Sequence, residues 1–334
     1  MVIRRILKAI LLTVGGILLM LVIVVAGYTL RADLRAHSVT EEELAALRPA
    51  GGFMVHADDT EMFVQRVGSV TAPAVVFVSG TGGWSGIWKD FMARVAAEGY
   101  QAIALDVPPF GYSSAPSSGR YDKASQARRI LGALDSLRVQ SAVIVAHSIG
   151  SGAVVEAALS HPERVSRMIL VNPALGLDAP REAESGSFLL ELIRSRWFSE
   201  PLCAAVGTNP WFTPYMVKSF VAEKDKVTPA WIELYQKPLE VPGAYRNVAG
   251  WLPVLFEGRG ALPSDDPEAY RTLQVPTTLI WGKDDTITPL AQGERLHSLL
   301  PRSRLVLLPG GHVPMVEEPQ LFIAALVDSL AAAD

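Results

Sequence analysis

Ser148 has the sequence context of a catalytic nucleophile. It stands in the run Ala146-His147-Ser148-Ile149-Gly150, where an apolar strand pattern gives way to a helix pattern. A serine on such a strand-to-helix turn stands clear of the sheet at the start of the helix, as a nucleophile elbow requires. Small residues at both ends of the run let the turn close, although a serine that merely caps a helix gives a similar pattern.

A serine nucleophile needs a base, because its hydroxyl is weakly nucleophilic at neutral pH. Of the six histidines, His312 has the most suitable position, at the end of a Leu-Pro-Gly-Gly-His run that directly follows a predicted strand. His147 adjoins the serine, but we expect the turn to aim its ring elsewhere. His312 is therefore the candidate general base.

The third residue of such a site is an acid that orients the imidazole and stabilises its cation. Asp285 follows a predicted strand in the run Gly282-Lys283-Asp284-Asp285 and is the candidate acid, while by spacing alone Asp284 is a rival candidate. The preceding strand is followed by Asn172, which cannot carry a negative charge. The order along the chain is then Ser, Asp, His.

Strand and helix patterns alternate from Phe53 onward, which predicts an α/β fold with a mostly parallel sheet covered on both faces. Continuous apolar runs are typical of strands buried on both faces. The predicted strands are 61–67 (at a sheet edge), 74–78, 102–105, 141–146, 165–171, 277–281 and 304–308. The predicted helices are 88–97, 123–137, 149–159, 188–193, 290–300 and 321–331.

The alternation is interrupted between about Gly176 and Pro263 by a segment rich in tryptophan and proline. We interpret it as an inserted, mainly helical cap over the carboxyl ends of the strands, where ligands bind in such sheets. The predicted organisation is an anchor at 1–30, a linker at 31–51, a core at 52–175 and 264–334, and a cap at 176–263. The aromatic residues of the cap are expected mostly in its core.

The N-terminus predicts a membrane helix. Residues 9–30 form 22 residues without a charged side chain, or about 33 Å of helix against a hydrocarbon core of about 30 Å. Arg4, Arg5 and Lys8 precede this stretch and favour a cytoplasmic N-terminus, with the rest of the chain on the periplasmic or extracytoplasmic side. A cleaved signal peptide is the alternative, but its apolar region is usually shorter.

Composition excludes several other classes of protein. The formal charge is −4, with 30 basic and 34 acidic residues, and no long basic run offers a nucleic-acid surface. A single cysteine, Cys203, excludes an intrachain disulfide and a metal site built on several thiolates. No histidine, cysteine and carboxylate spacing suits a metal, and no cofactor is expected. The pairs Asp58-Asp59 and Asp265-Asp266 are interpreted as solvated turns.

The chain resembles the α/β-hydrolase superfamily from about Phe53 to the C-terminus. The resemblance rests on the elbow and on three further runs: Gly282-x-x-Asp285-x-x-x-Pro289, Gly311-His312-x-Pro314-x-x-Glu317-x-Pro319, and Asp106-Val107-Pro108-Pro109-Phe110-Gly111-Tyr112-Ser113. The first of these favours Asp285 over Asp284. Pro109 stands where the family usually has glycine.

The resemblance also implies backbone donors for an oxyanion, namely the N–H groups of Thr81 and Ile149. Ser79 stands where the family typically has histidine, which leaves these backbone donors in place. The implied activity is hydrolysis of a small apolar carboxylic ester, such as one derived from lipid, through an acyl-enzyme. Amide, thioester or carbon–carbon bond hydrolysis on the same triad is the alternative, as is a non-catalytic ligand-binding member of the fold.

Overall fold

The computed structural model describes residues 2–178, 188–258 and 260–332, with side chains described from Ile10 onward. The side chains of Arg4, Arg5 and Lys8, on which the predicted orientation depends, lie outside the described residues. Part of the predicted cap, residues 179–187, also lies outside them.

Eight strands form one sheet in the order β1-β2-β4-β3-β5-β6-β7-β8. β2 runs antiparallel to β1 and β4, and the other pairings are parallel. This confirms the predicted α/β fold with a mostly parallel sheet. The strands are β1 Phe53–Ala57, β2 Thr60–Val67, β3 Ala74–Val78, β4 Gln101–Leu105, β5 Ala142–His147, β6 Val165–Val171, β7 Thr277–Gly282 and β8 Ser303–Leu308.

The α-helices of the described chain surround this sheet and fill the segment between β6 and β7. They are α1 Val2–Ser38, α2 Glu41–Ala46, α3 Lys89–Ala97, α4 Lys123–Ser136, α5 Gly150–Ser160, α6 Phe188–Arg194, α7 Arg196–Leu202, α8 Thr213–Ser219, α9 Pro229–Leu239, α10 Ala244–Trp251, α11 Pro267–Thr272, α12 Leu290–Leu299, α13 Pro314–Glu317 and α14 Pro319–Ala331.

The prediction that residues 61–67 form an edge strand was wrong. They lie in β2, between β1 and β4, and the sheet edge is β1. β1 and β2 form a hairpin through Asp58, which adopts a left-handed φ of 57°. A short strand of mixed burial next to a polar turn carries little hydrophobic pattern, so the sequence did not reveal it.

Both faces of the sheet are covered by apolar helix faces. Strands β3 and β4 are buried along their whole length. One core packs them against α3 and α14, with Trp88 and Phe322 at its centre, and the other against α4, α5 and α12. Fully burying an apolar side chain of this size contributes about 1.5–3 kcal/mol, so these two cores hold the strand ends that carry the site.

The segment between β6 and β7 is helical. In its described part it consists of α6 to α11 with short 3-10 turns and one π-helix, Cys203–Gly207. Pro201 and Pro238 lie inside two of these helices, which keeps each helix short.

Helix α1 is long and apolar enough to cross a membrane, as a membrane anchor or a signal sequence would be. It continues eight residues past the predicted span, from Arg31 to Ser38. A short helix follows as α2, where Thr40 and Glu43 form a reciprocal capping box.

Candidate active site

Ser148 lies on the turn between β5 and α5, with a left-handed φ of 53°. Such a φ strains a residue with a side chain and persists only where the surrounding structure enforces it. The neighbouring backbone packs closely around this turn. A Cβ atom added to Gly80 would lie 2.6 Å from the Cβ of Ser148, and one added to Gly150 would lie 2.4 Å from the carbonyl oxygen of Ser79. Glycine at these positions therefore allows the turn to seat on the loop after β3.

His312 lies in the loop after β8, and its Nε2 is 2.8 Å from the Oγ of Ser148. Both side chains are buried, so their hydrogen bond is shielded from water. The backbone N–H of His312 donates to the carbonyl oxygen of Phe220 at 2.9 Å. The histidine loop is thus held on one side by the segment between β6 and β7.

The other imidazole nitrogen, Nδ1, lies 2.8 Å from Oδ2 of Asp285. Asp284 is exposed, and its N–H donates to the carbonyl oxygen of Gly310. Asp285 is therefore the residue that contacts the imidazole. Burial raises the pKa of Asp285, but hydrogen bonds from His312, Thr288 and Asn172 outweigh this and lower it to about 2.

Thr288 supports the carboxylate from the loop after β7. Its hydroxyl donates to Oδ2 of Asp285 at 2.7 Å, while the N–H groups of Ile287 and Thr288 donate to Oδ1 at 2.7 and 2.9 Å. A carboxylate with this many donors stays ionised and fixed in one orientation. It can stabilise an imidazolium without taking up a proton.

Asn172, at the end of β6, also contacts the triad. Its side-chain amide donates to Oδ2 of Asp285, and its Oδ1 accepts the N–H of Gly282 at 3.3 Å. In the sequence this position stands out only because it lacks an acid where one could follow the strand. The signal available from sequence was its position at the carboxyl end of a strand adjacent to the one that carries the acid.

Glu317 is a second residue whose role the sequence analysis missed, although it belongs to the quoted motif around His312. It is buried, and its Oε1 accepts the N–H of Gly311 at 2.6 Å. Its Oε2 accepts the N–H groups of Ala222 and Glu223 at 2.9 and 3.0 Å. Glu317 thus joins the histidine loop to the helical segment.

His147 points away from the serine hydroxyl, as expected. Its Nε2 lies 2.8 Å from the carbonyl oxygen of His312. Burial and the neighbouring His312 lower the pKa of His147 to about 3. His147 is therefore neutral at ordinary pH, and its ring N–H donates to that carbonyl and positions the loop.

The predicted oxyanion donors flank Ser148. Ile149 is the residue before the first turn of α5, and Thr81 follows Gly80, which contacts the serine. Within the described chain, the N–H groups of Thr81 and Ile149 donate to no backbone carbonyl and no side chain. Free N–H groups beside a nucleophile are what an oxyanion requires.

A cavity of about 520 Å³ opens next to the serine. Gly80 and Ile149 are among the residues that line it, and its walls are mainly apolar, with Phe110, Trp251 and Leu255 among them. Its polar lining includes Lys123 and Asp265, which pair at 2.7 Å. The cavity therefore offers a largely apolar surface close to the serine.

The expectation that the aromatic residues of the helical segment form its core was wrong for several of them. Trp197, Trp211 and Tyr215 are 94%, 77% and 74% exposed. Trp251 lines the cavity, and the ring of Phe220 lies 6.0 Å from that of His312. Tryptophan content alone does not tell a buried face from an exposed one, because the short helices here bury only part of their surface.

The two acidic pairs are also less solvated than expected. Asp59 forms two hydrogen bonds with the fully buried guanidinium of Arg129, which contributes to lowering the pKa of Asp59. Asp265 is buried and pairs with the partly buried Lys123. In each case a basic residue from α4, more than 60 positions away, supplies a partner that sequence spacing could not reveal.

No cluster of three or more histidine, cysteine, aspartate or glutamate side chains is placed to hold a metal ion in the described residues. Cys203 is buried, and burial raises the pKa of its thiol to about 12. It is therefore a protonated core side chain and not a second nucleophile.

The sequence profile of the family described as having the α/β-hydrolase fold matches residues 73–319 of this chain. The uncharacterized hydrolase YugF of Bacillus subtilis (strain 168) is 30% identical over 233 residues, covering 69% of this chain and 80% of that protein. The 2-hydroxymuconate semialdehyde hydrolase of Pseudomonas sp. (strain CF600) is 28% identical over 250 residues, covering 74% and 82%.

Solved structures show the same fold. A meta-cleavage product hydrolase (CumD) superposes with a TM-score of 0.68 at 22% identity, covering 84% of this chain and 98% of that one. A membrane phospholipase A superposes with a TM-score of 0.65 at 24% identity, covering 95% and 96%. This chain therefore belongs to the α/β-hydrolase family, because it matches the family's sequence profile, resembles these relatives in sequence and has the eight-stranded sheet.

Proposed function

We propose that this chain is a membrane-anchored serine hydrolase that cleaves carboxylic esters through an acyl-enzyme. The observation that carries the proposal is the continuous relay from the Oγ of Ser148 to the Nε2 of His312 at 2.8 Å, and from its Nδ1 to Asp285 at 2.8 Å. A nucleophile, a base and an acid so arranged perform acyl transfer on several unrelated folds.

In the first half-reaction the Oγ of Ser148 attacks the ester carbonyl carbon while His312 takes the hydroxyl proton. The carbonyl oxygen becomes an oxyanion, for which we assign the N–H groups of Thr81 and Ile149 as donors. Each such donor contributes about 3–4 kcal/mol to the transition state. The intermediate collapses, His312 protonates the leaving alcohol, and the acyl group remains on Ser148.

In the second half-reaction water replaces the alcohol. His312 removes a proton from the water while the water oxygen attacks the acyl carbon. His312 then returns that proton to the Oγ of Ser148 as the bond between Oγ and the acyl carbon breaks and the carboxylic acid leaves. Throughout, Asp285 remains a carboxylate, because its pKa is lowered to about 2. Its charge stabilises the imidazolium that forms in each half-reaction.

The mainly apolar lining of the cavity beside Ile149 supports the proposal that the substrate is an ester with an apolar acyl or alcohol group. We further propose that residues 176–263 act as a cap, since Trp251 and Leu255 from this segment line the cavity and Phe220 holds the histidine loop. We assign residues 1–30 as a retained anchor, with a cytoplasmic N-terminus and the catalytic domain on the extracytoplasmic side.

Carbon–carbon bond hydrolysis is the second candidate activity. It is favoured by the 28% identity to a 2-hydroxymuconate semialdehyde hydrolase over 82% of that enzyme's length. The same triad serves both reactions, so the two differ in the substrate that the cavity accepts.

A single set of assays separates these functions. The full chain is treated with a fluorophosphonate probe and assayed with p-nitrophenyl esters of graded chain length and with 2-hydroxymuconate semialdehyde. Ester turnover that falls about 10⁴–10⁶-fold in Ser148→Ala supports the proposal. Turnover of the semialdehyde alone would favour the second candidate, and ligand binding without labelling or turnover would identify a non-catalytic member of the fold.

A further inference from the structure

Helix α1 packs against the helical segment between β6 and β7. It contacts α7 and the π-helix Cys203–Gly207. The partly buried positions of α1 are spaced three or four residues apart and share one face: Val25, Thr29, Ala32, Asp33 and Ala36. Ala32 joins the apolar cluster that contains Cys203 and Trp251.

Asp33 fixes the position of this contact. It accepts a hydrogen bond from the hydroxyl of Tyr245 at 2.6 Å and pairs with the guanidinium of Arg246, both on α10. Hydrogen bonds from Tyr245 and Arg246 lower the pKa of Asp33, so the pairing is ionic at neutral pH. A directional ion pair combined with apolar packing sets one orientation of α1 relative to these helices.

The contact begins inside the apolar stretch. Val25 lies five residues before Leu30, the last residue of that stretch, which is about 7.5 Å along a helix. The 22 apolar residues are only slightly longer than the hydrocarbon core. The helices packed on the partly buried face of α1 therefore lie at the boundary between hydrocarbon and headgroups when α1 spans a membrane.

Those same helices carry an exposed apolar surface. We use the name apolar face for five residues of α6, α7 and the π-helix: Phe188, Leu189, Trp197, Leu202 and Val206, which are 81%, 54%, 94%, 36% and 40% exposed. α6 packs on α7, and α7 on the π-helix, so the five residues belong to adjoining elements. Contiguous exposed apolar residues mark a surface that binds a partner or a membrane.

The surrounding residues suit a bilayer. Tryptophan is favoured at the membrane–water boundary, where its ring is apolar and its N–H can reach water. Arg31 and Arg35 are exposed on α1 directly after the span, at the level where lipid phosphates lie. The apolar face thus belongs to elements that pack on the membrane helix or on its neighbours, and the cationic residues directly follow the span on α1.

We propose that the apolar face lies in the headgroup region of the bilayer, with membrane lipid as its occupant. The proposal rests on the anchor assigned above. It makes the catalytic domain a body held against the membrane in one orientation, rather than one tethered at a distance. Leu255, which lines the cavity, belongs to a 3-10 turn packed on α6, so the cavity wall adjoins this surface.

The test uses the full chain in vesicles of phosphatidylcholine and phosphatidylglycerol. One cysteine is added in each of three variants, Trp197→Cys, Val70→Cys and Leu18→Cys, and is labelled with the fluorophore NBD. The native Cys203 is not expected to react with the label, because it is buried and protonated. Val70 is 61% exposed on the core, in the loop after β2, and is the matched control. Leu18 reports on the span. Lipids carrying a nitroxide near the headgroup and midway along the acyl chain are the quenchers.

We expect quenching at 197 by the shallow nitroxide, quenching at 18 by the deep one, and none at 70. Phe188→Cys, at a second highly exposed position, should behave like Trp197→Cys. Quenching at 18 combined with emission at 197 and 188 equal to that at 70 would overturn the inference while leaving the anchor intact. No quenching at 18 would instead refute the anchor itself.

One further outcome also overturns the proposal. If the label at 197 is shielded from lipid nitroxides and a cysteine cross-linker at that position joins two chains, the apolar face is covered by a second copy of the protein and not by lipid.

Discussion

The side-chain amide of Asn172 donates to the same carboxylate oxygen of Asp285 that contacts His312. Asn172 adopts a left-handed φ of 43°, which asparagine tolerates better than most residues. Two neighbouring strands, β6 and β7, thus contribute a neutral donor and a charged acceptor to one hydrogen-bonded unit. The strand that lacks the acid positions the acid of the next strand.

Replacing Asn172 by aspartate should make activity more sensitive to acid. In the natural chain the pKa of Asp285 is lowered to about 2, so it stays ionised over the usual assay range. Asn172→Asp removes a donor and adds a like charge in contact, which raises the pKa of one of the two carboxyls. Protonation then begins at higher pH, and kcat should start to fall at a higher pH as the solution is acidified.

The measurement is the pH profile of kcat for the natural chain and for Asn172→Asp. Thr272→Ser, at an exposed position remote from the triad, serves as a neutral control. An acid limb unchanged in Asn172→Asp would contradict the role given to Asn172.

The two adjacent aspartates should differ greatly on substitution. Asp285→Asn keeps the shape of the side chain but removes its charge and favours the wrong imidazole tautomer, so kcat should fall by about 10⁴-fold. Asp284→Asn changes an exposed side chain and should leave kcat within a few fold. Steady-state kinetics on both variants decide the matter, and the reverse ranking would move the acid by one residue.

A methyl group at Gly80 should impair catalysis through geometry alone. Its Cβ would lie 2.6 Å from the Cβ of Ser148, so either the serine or the adjacent N–H of Thr81 must move. A displacement of about 1 Å at a reacting centre costs on the order of 10²-fold in rate. Gly207→Ala is the matched control, because the nearest atoms to its added Cβ lie at 3.6 Å.

For the glycine pair, the measurements are kcat/KM and the rate of fluorophosphonate labelling, with circular dichroism to verify folding. Equal labelling rates in Gly80→Ala and Gly207→Ala would show that the loop after β3 does not constrain the nucleophile.

Two N-terminal deletions should have different effects. Removing residues 1–30 should release active protein from membranes, since Ala32 and Asp33 and their contacts remain. Removing residues 1–38 also deletes the partner of Tyr245 and Arg246 and uncovers part of an apolar cluster, so its melting temperature should be lower.

Membrane fractionation and thermal unfolding compare the two deletions. Equal melting temperatures would contradict a stabilising contact from residues 31–38. A natural mature protein that already lacks residues 1–30 would identify a cleaved signal peptide in place of an anchor.

Local patterns in the sequence determined the fold class and most of the elements. The apolar run 74–78 is typical of a strand buried on both faces, and β3 has these bounds and is buried throughout; β6 also has its predicted bounds, 165–171. The short edge strand β1 was missed because a half-exposed hairpin strand carries a weak pattern. Sequence motifs also predicted Ser148, His312 and Asp285 as nucleophile, base and acid. Each of them follows a strand, and the carboxyl ends of parallel strands meet at one edge of the sheet.

Only the tertiary structure decided which groups surround those three residues. Asn172, Glu317 and His147 act through contacts with residues that are 113, 95 and 165 positions away. The exposed tryptophans and the docking of α1 on α7 depend in the same way on which helix faces meet. Such contacts depend on the packing of distant elements, which no local period or spacing in the sequence encodes.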